Sequence, residues 1–121
     1  MIDTMKLSIV IARQGERRFD DEDDFYYESA SVVMDGIEIA YVSIVVGGSE
    51  PAYVERIDVD EAYRGKGVGT WTLRELAKHY DDIIIAADNA DANRLYERLG
   101  FEYNGDSAAY IDQGYGVWLI R

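Results

Sequence analysis

Residues Val59 to Thr70 read VDEAYRGKGVGT, and no other stretch restricts the fold as tightly. An apolar strand ends there, a short polar turn follows, and a helix opens through Gly65, Gly67 and Gly69. Alternate glycines at a helix start leave backbone N–H groups uncovered, where a helix already has unpaired donors and partial positive charge. Such a loop can hold a phosphate with few cationic side chains. Glycines at a helix start are also packing devices, so the loop alone leaves both roles open. The helix is followed by a nearly all-apolar run, Asp82–Ala87, which suits a buried parallel strand. Strand, helix and strand in that order predict a parallel crossover unit.

The rest of the chain builds a sheet around that unit. Met5 to Ala12 alternates, with Met5, Leu7, Ile9 and Ile11 on one side, and predicts a half-buried strand. Phe25–Met34 and Ile37–Val46 read as two strands turned at Asp35-Gly36, a strong hairpin signal. The second is apolar on both faces at Val42, Ile44, Val45 and Val46, so it should be central. Ala52–Val59 alternates again, with Tyr53, Glu55, Ile57 and Val59 sharing one side and Arg56 and Asp58 the other. The helix Gly67–Tyr80 carries an apolar stripe at Leu73, Leu76, Ala77 and Tyr80. A second helix, capped by Asn89 or Asp91, has its stripe at Ala92, Leu95, Tyr96 and Leu99 and stops at Gly100. Phe101–Ile111 and Tyr115–Ile120 complete the chain as a further hairpin. The expected class is α/β with a mixed sheet flanked by helices, in one domain over residues 1–121.

Composition narrows the function. There are 24 acidic residues against 12 basic ones, a formal net charge of −12, which disfavours nucleic acid as a partner and favours something cationic. The acidic run Asp20–Asp24 reads as a solvated loop or as a rim attracting a cationic acceptor. With no cysteine and one histidine, thiol nucleophiles and Cys- or His-rich metal sites are ruled out, and a Ser–His–Asp triad is disfavoured. His79 falls at a helix end, where a surface role suits it. No membrane span or signal segment is visible, so the expectation is a soluble cytoplasmic protein. The excess of acid is also compatible with a salt-adapted host.

The loop is not a P-loop, since GxxxxGK[ST] does not occur, and its evenly spaced glycines do not fit GxGxxG. Its pattern of Arg64, Gly67 and Gly69 after the strand end at Ile57 and Val59 is one half of a two-part signature. The other half is Asn89, Ala92, Leu95, Tyr96, Gly100 and Phe101, one helix and one strand later. Together, over about residues 52–103, the two segments resemble the GCN5-related N-acetyltransferase (GNAT) superfamily. The resemblance implies acetyl-CoA as the acyl donor. Ile57 and Val59 would offer backbone groups to the pantetheine arm. Backbone N–H groups of Gly65, Lys66, Gly67, Val68, Gly69 and Thr70 would hold the pyrophosphate, with Arg64 and Lys66 as local charge. Asn89 would contact the cofactor arm, and Tyr96 would stand near the thioester sulfur as general acid. A phenol is chemically apt to protonate a departing thiolate. Without the family pattern, a tyrosine on that stripe reads as core.

The implied reaction is direct attack by a primary amine in a ternary complex, which needs no nucleophilic side chain. The acceptor would be a lysine, a protein N-terminus, a polyamine or another cationic small molecule. Glu55 is the candidate base if the strand buries it, although the family's glutamate position falls nearer Tyr53 and a strand bulge would change which way Glu55 faces. Asp58, on the other side, is the weaker choice, and an oxyanion donor would be a backbone N–H near Ile57. Two features depart from the family pattern. Arg13 to Phe25 is too short for the two helices that usually separate the first two strands, so the acceptor side is either open or completed by a partner such as a second copy. Glu61 also stands where proline is common. The alternative reading is a non-catalytic acyl-CoA-binding or interaction module on the same fold.

Overall fold

The computed structural model describes residues 3–16, 25–47, 51–87, 89–106 and 116–121. Seven strands form one sheet in the order β1-β2-β3-β4-β5-β7-β6. They are β1 Leu7–Glu16, β2 Phe25–Met34, β3 Ile37–Gly47, β4 Ala52–Val59, β5 Ile83–Ala86, β6 Glu102–Asp106 and β7 Gly116–Ile120. Helix α1 spans Val68–Tyr80 and α2 spans Ala90–Arg98. The β4–β5 pair is parallel and every other pair is antiparallel. The crossover expected from Ala52–Ala87 is therefore present, with α1 as its helix.

The β2–β3 hairpin turns at Asp35 and Gly36, whose φ values of 52° and 81° match the two left-handed positions that such a turn requires. Strand β3 pairs on both sides and buries Val42 and Ile44 completely. In α1, Leu73, Leu76 and Ala77 pack on the sheet with Ala30, Val54, Ile83 and Ile120. Each such buried aliphatic side chain is worth about 1.5–3 kcal/mol. The buried hydroxyl of Thr72 is satisfied by donating to the Val68 carbonyl at 2.7 Å. Tyr96 of α2, Phe101 just before β6 and Trp118 of β7 join the same core. No helix among the described residues is long and apolar enough to cross a membrane.

Two sequence expectations need correction. Met5 does not belong to β1: it lies in a 3-10 turn over Thr4–Lys6 and is 93% exposed. Alternation cannot separate a strand residue from one just before the strand, because hydrogen bonds rather than hydropathy decide where a strand begins. The facing of β4 is also different. Arg56 pairs with Ser43 while Val54 pairs with Ile44, so β4 carries one extra residue, Glu55, in a bulge. Tyr53 consequently shares a face with Arg56 and Asp58, while Ala52 and Val54 share the helix-covered face with Ile57 and Val59. Residues 17–24, with the acidic run, and residues 107–115, where the sequence suggested a hairpin turn, lie outside the described residues.

Candidate active site

The site begins where two strands stop pairing. Parallel contacts between β4 and β5 run only from Ala52↔Ile83 to Val54↔Ile85. At the next residue comes the Glu55 bulge, and from Arg56 to Val59 strand β4 pairs with β3 alone. The bulge redirects the second half of β4, and the sheet opens at the carboxyl ends of its only parallel pair. That is the usual place for a ligand in an open sheet with crossover helices.

A groove of about 370 Å³ occupies this opening. It is lined by Ile57 and Val59 of β4, by Leu73 of α1, by Leu95 and Tyr96 of α2, and by Leu99 just past the end of α2. Tyr63 and Arg64 close the end near the glycine loop. Its volume falls within the range of small-molecule sites.

The glycine loop enters α1 through left-handed backbone. Gly65 has φ 74° and Gly67, the N-cap residue, has φ 88°. The first helical bond is from Trp71 N to Gly67 O at 3.0 Å, so the N–H groups of Val68, Gly69 and Thr70 have no intrahelical acceptor. No side chain caps this end, since glycine has none to offer. A Cβ added at Gly65, Gly67 or Gly69 would meet nothing within 4 Å, so the space over the loop is open. A 13-residue helix thus presents uncapped donors and its positive dipole end at the groove. Arg64 braces the loop, its Nε donating to the Val59 carbonyl at 2.9 Å. This donor set, open on the ligand side and close to an apolar channel, fits a pyrophosphate with a long thin arm.

Of the residues singled out from sequence, Ile57, Val59, Arg64, Gly65, Gly67, Val68, Gly69, Thr70 and Tyr96 all line the groove. Tyr96 is 9% exposed and its ring lies 5.9 Å from that of Phe101, so it is a core residue and a groove residue at once. Lys66 is exposed and turns to an adjoining cleft. Asn89 does not line the groove: its Oδ1 accepts from Ala92 N at 2.8 Å and caps α2, which holds the helix carrying Tyr96. Glu55 is exposed on the bulge and does not line the groove, so a proton can reach it from there only through water.

Several residues acquire roles that alternation did not reveal. Leu73, Leu95 and Leu99 lie on the apolar stripes read from the sequence, and they wall the groove. Asn93 has its Oδ1 accepting from Trp118 Nε1 at 2.8 Å and from Gly116 N at 3.2 Å. It fixes α2 against β7 and so sets the position of Tyr96 one turn later. An asparagine next to an apolar stripe was the only available sign, and it does not identify partners some twenty residues away.

Comparison with known proteins bears on the family and the fold. The family model described as "Acetyltransferase (GNAT) domain" matches residues 22–103. A spermine/spermidine N(1)-acetyltransferase of Bacillus subtilis (strain 168) is 36% identical over 62 residues, covering 45% of this chain and 41% of the relative. An uncharacterized protein of Mycobacterium leprae (strain TN) is 34% identical over 91 residues, covering 69% of this chain and 25% of its own length. The chain thus spans less than half the length of these curated relatives. Among solved structures, a GNAT family acetyltransferase from Elizabethkingia anophelis, with acetyl-CoA bound, superposes with a TM-score of 0.62 at 13% identity, covering 96% of this chain and 98% of that one. The ribosomal-protein-S18-alanine N-acetyltransferase from Escherichia coli gives a TM-score of 0.57 at 24% identity, covering 78% and 68%. At these identities the structural likeness speaks to the fold.

Proposed function

Because the chain belongs to the GNAT acetyltransferase domain family, we propose that the groove receives acetyl-CoA and that the protein transfers its acetyl group to a primary amine. The observation that carries this proposal is the joint placement of an uncapped glycine-loop helix start and the Tyr96 side chain on one narrow groove. When bound, acetyl-CoA supplies an activated thioester, and the protein's own groups do the rest. The N–H donors of Val68, Gly69 and Thr70 hold the pyrophosphate. The β4 backbone at Ile57 and Val59 pairs with the amides of the pantetheine arm in the manner of an added strand. Leu73, Leu95 and Leu99 exclude water from the arm. A backbone N–H near Ile57 stabilises charge on the carbonyl oxygen. The Tyr96 hydroxyl gives its proton to the leaving sulfur.

The acceptor must be neutral at nitrogen to attack. Glu55 is exposed on the bulge, so in this scheme it takes the amine proton through water rather than from within the groove. A polyamine or a similar cationic alkylamine is the acceptor class that fits best. The net charge of −12 attracts such a substrate, and the Bacillus subtilis relative is a spermine/spermidine N(1)-acetyltransferase. The direct test follows CoA release from acetyl-CoA across a panel of amines, with spermidine, a lysine peptide and an alanine-initiated peptide among them. Turnover with spermidine is expected. Tight acetyl-CoA binding without turnover on any amine would replace the enzyme with a binding module.

A further inference from the structure

Both helices pack on one face of the sheet, where Ala30, Val42, Ile44, Val54 and Ile83 meet them. Side chains alternate along a strand, so the chain neighbours of these residues point to the other face. Among the described residues, no helix lies on that second face. The register sets its side chains in rows that cross the strands. Ala12, Ser29, Ser43 and Arg56 pair in succession and form one row from β1 to β4. Tyr27, Val45 and Tyr53 form the row to one side, and Ser31, Tyr41 and Asp58 the row to the other. Small side chains between tyrosines make a trough. Its floor at Ser29 is only 7% exposed, yet the hydroxyl makes no hydrogen bond among the described residues and is not sealed from solvent. A hydroxyl so deep and without a partner is unusual, and it has acceptor lone pairs to offer. The trough ends at the Glu55 bulge, level with the point where β4 parts from β5. Charge around it is acidic. Glu38 accepts from Ser31 Oγ at 2.7 Å and Glu55 is exposed, while the base of the row, Arg56, is compensated by Asp58 at 2.5 Å.

We propose that this trough binds the tail of the acceptor, an alkylammonium chain with more than one charge, and that Ser29 and Ser43 make the protein prefer a polyamine to a short monoamine. The proposal rests on the acetyl transfer proposed above. The reacting nitrogen lies in the opening between β4 and β5, and the rest of the molecule runs back over β3 and β2. Strands are about 4.8 Å apart, so Ser43 and Ser29 stand roughly 5 Å and roughly 10 Å from β4. Further ammonium groups, spaced by a few methylenes, reach those two hydroxyls, whose oxygens accept from N–H. The tyrosines on both sides supply π-electron density to the charges and apolar surface to the methylenes. An anionic chain would be repelled here, and a neutral alkyl chain would leave the serines without donors.

Steady-state kinetics of the intact protein at saturating acetyl-CoA, with spermidine, propylamine and a lysine peptide as acceptors, tests this. The wild type should favour spermidine over propylamine by about tenfold or more in kcat/KM, the gain expected from hydrogen bonds to a charged group. Ser29→Ala combined with Ser43→Ala removes both hydroxyls and keeps the room. It should bring the preference close to one, through KM rather than kcat. Neither serine is charged, so these variants leave the field of the molecule as it is. Ser43→Val, which fills the trough, should also lower the preference, whereas Ser43→Thr keeps a hydroxyl and should retain most of it. Equal kcat/KM of the wild type for spermidine and propylamine overturns the proposal and leaves acetyl transfer standing. So does a double variant that loses both amines equally, or a wild-type preference for the lysine peptide over spermidine. Folded wild type that turns over no amine removes the acetyl-transfer function and this trough with it.

Discussion

Tyr96 carries two demands on one side chain. Its ring is part of the core with Phe101, and its flank lines the groove. Tyr96→Phe keeps the ring, so the core and the groove wall should survive. Turnover should then fall by about a hundredfold or more, with acetyl-CoA affinity nearly unchanged, if the hydroxyl acts as a general acid. Steady-state kinetics beside a binding titration separates the two, and unchanged kcat would remove the hydroxyl from the mechanism. Asn93 has a different kind of importance. Asn93→Ala leaves the Trp118 indole N–H and the Gly116 N–H without their acceptor, which should cost about 1–3 kcal/mol in urea unfolding. Because the same contact locates α2, kcat should also drop. The family pattern singled out Tyr96 in the sequence, and the fold puts it on the groove. Asn93 was not legible, because its partners are distant in sequence and only the folded sheet brings them together.

At the scale of elements, two features build the groove: a bulge and a glycine entry. The glycines make separate predictions. Gly67 has a left-handed φ and open space around its missing Cβ, so Gly67→Ala should cost about 1 kcal/mol through backbone strain alone. Gly69 lies inside α1 and is not left-handed, so Gly69→Ala should leave stability unchanged or raise it by up to about 1 kcal/mol. It should still weaken acetyl-CoA binding, because the new methyl group covers the first-turn donors. Thermal unfolding with and without ligand reads both effects, and a Gly69→Ala variant with full affinity would move the pyrophosphate elsewhere. Most elements could be read from periodicity and turn chemistry: the Asp35-Gly36 hairpin, the buried strand β5, the cap at Asn89 or Asp91, which the fold gives to Asn89, and the stop at Gly100. The facing of β4 could not. A bulge inserts one residue without altering composition, so strict alternation from Ala52 to Val59 put Tyr53 and Glu55 with Ile57, where the register separates them.

For the whole molecule, charge is the feature that reaches furthest. A net charge of −12 on a 13.7 kDa chain produces a field that draws in cations and slows anions. The two substrates proposed here are of opposite sign. Raising ionic strength should therefore lower kcat/KM for a polyamine, since screening shortens from about 30 Å at 0.01 M salt to about 10 Å at 0.1 M. The KM for a neutral amine analogue should change little. A polyamine profile flat in salt would mean that local contacts, not the field, select the acceptor. Acetyl-CoA should raise the unfolding temperature in a concentration-dependent way, with about 2.7 kcal/mol of stabilisation at a hundred times its dissociation constant.

The parting of β4 from β5 has one more consequence. A sheet usually exposes unpaired backbone only at its outer rim, where another protein can add a strand and start an aggregate. Here a stretch of edge, Arg56–Val59, lies in the interior of the sheet, with the Val59 carbonyl held by Arg64 and with α1 and α2 standing over it. A folded protein brings its strands with neighbours attached and cannot enter so narrow a slot. A single-file chain bearing amides can. The protein thus has the adhesive chemistry of a strand edge behind a filter that admits only threads, and slender amide-bearing chains are the scaffolds to try as inhibitors.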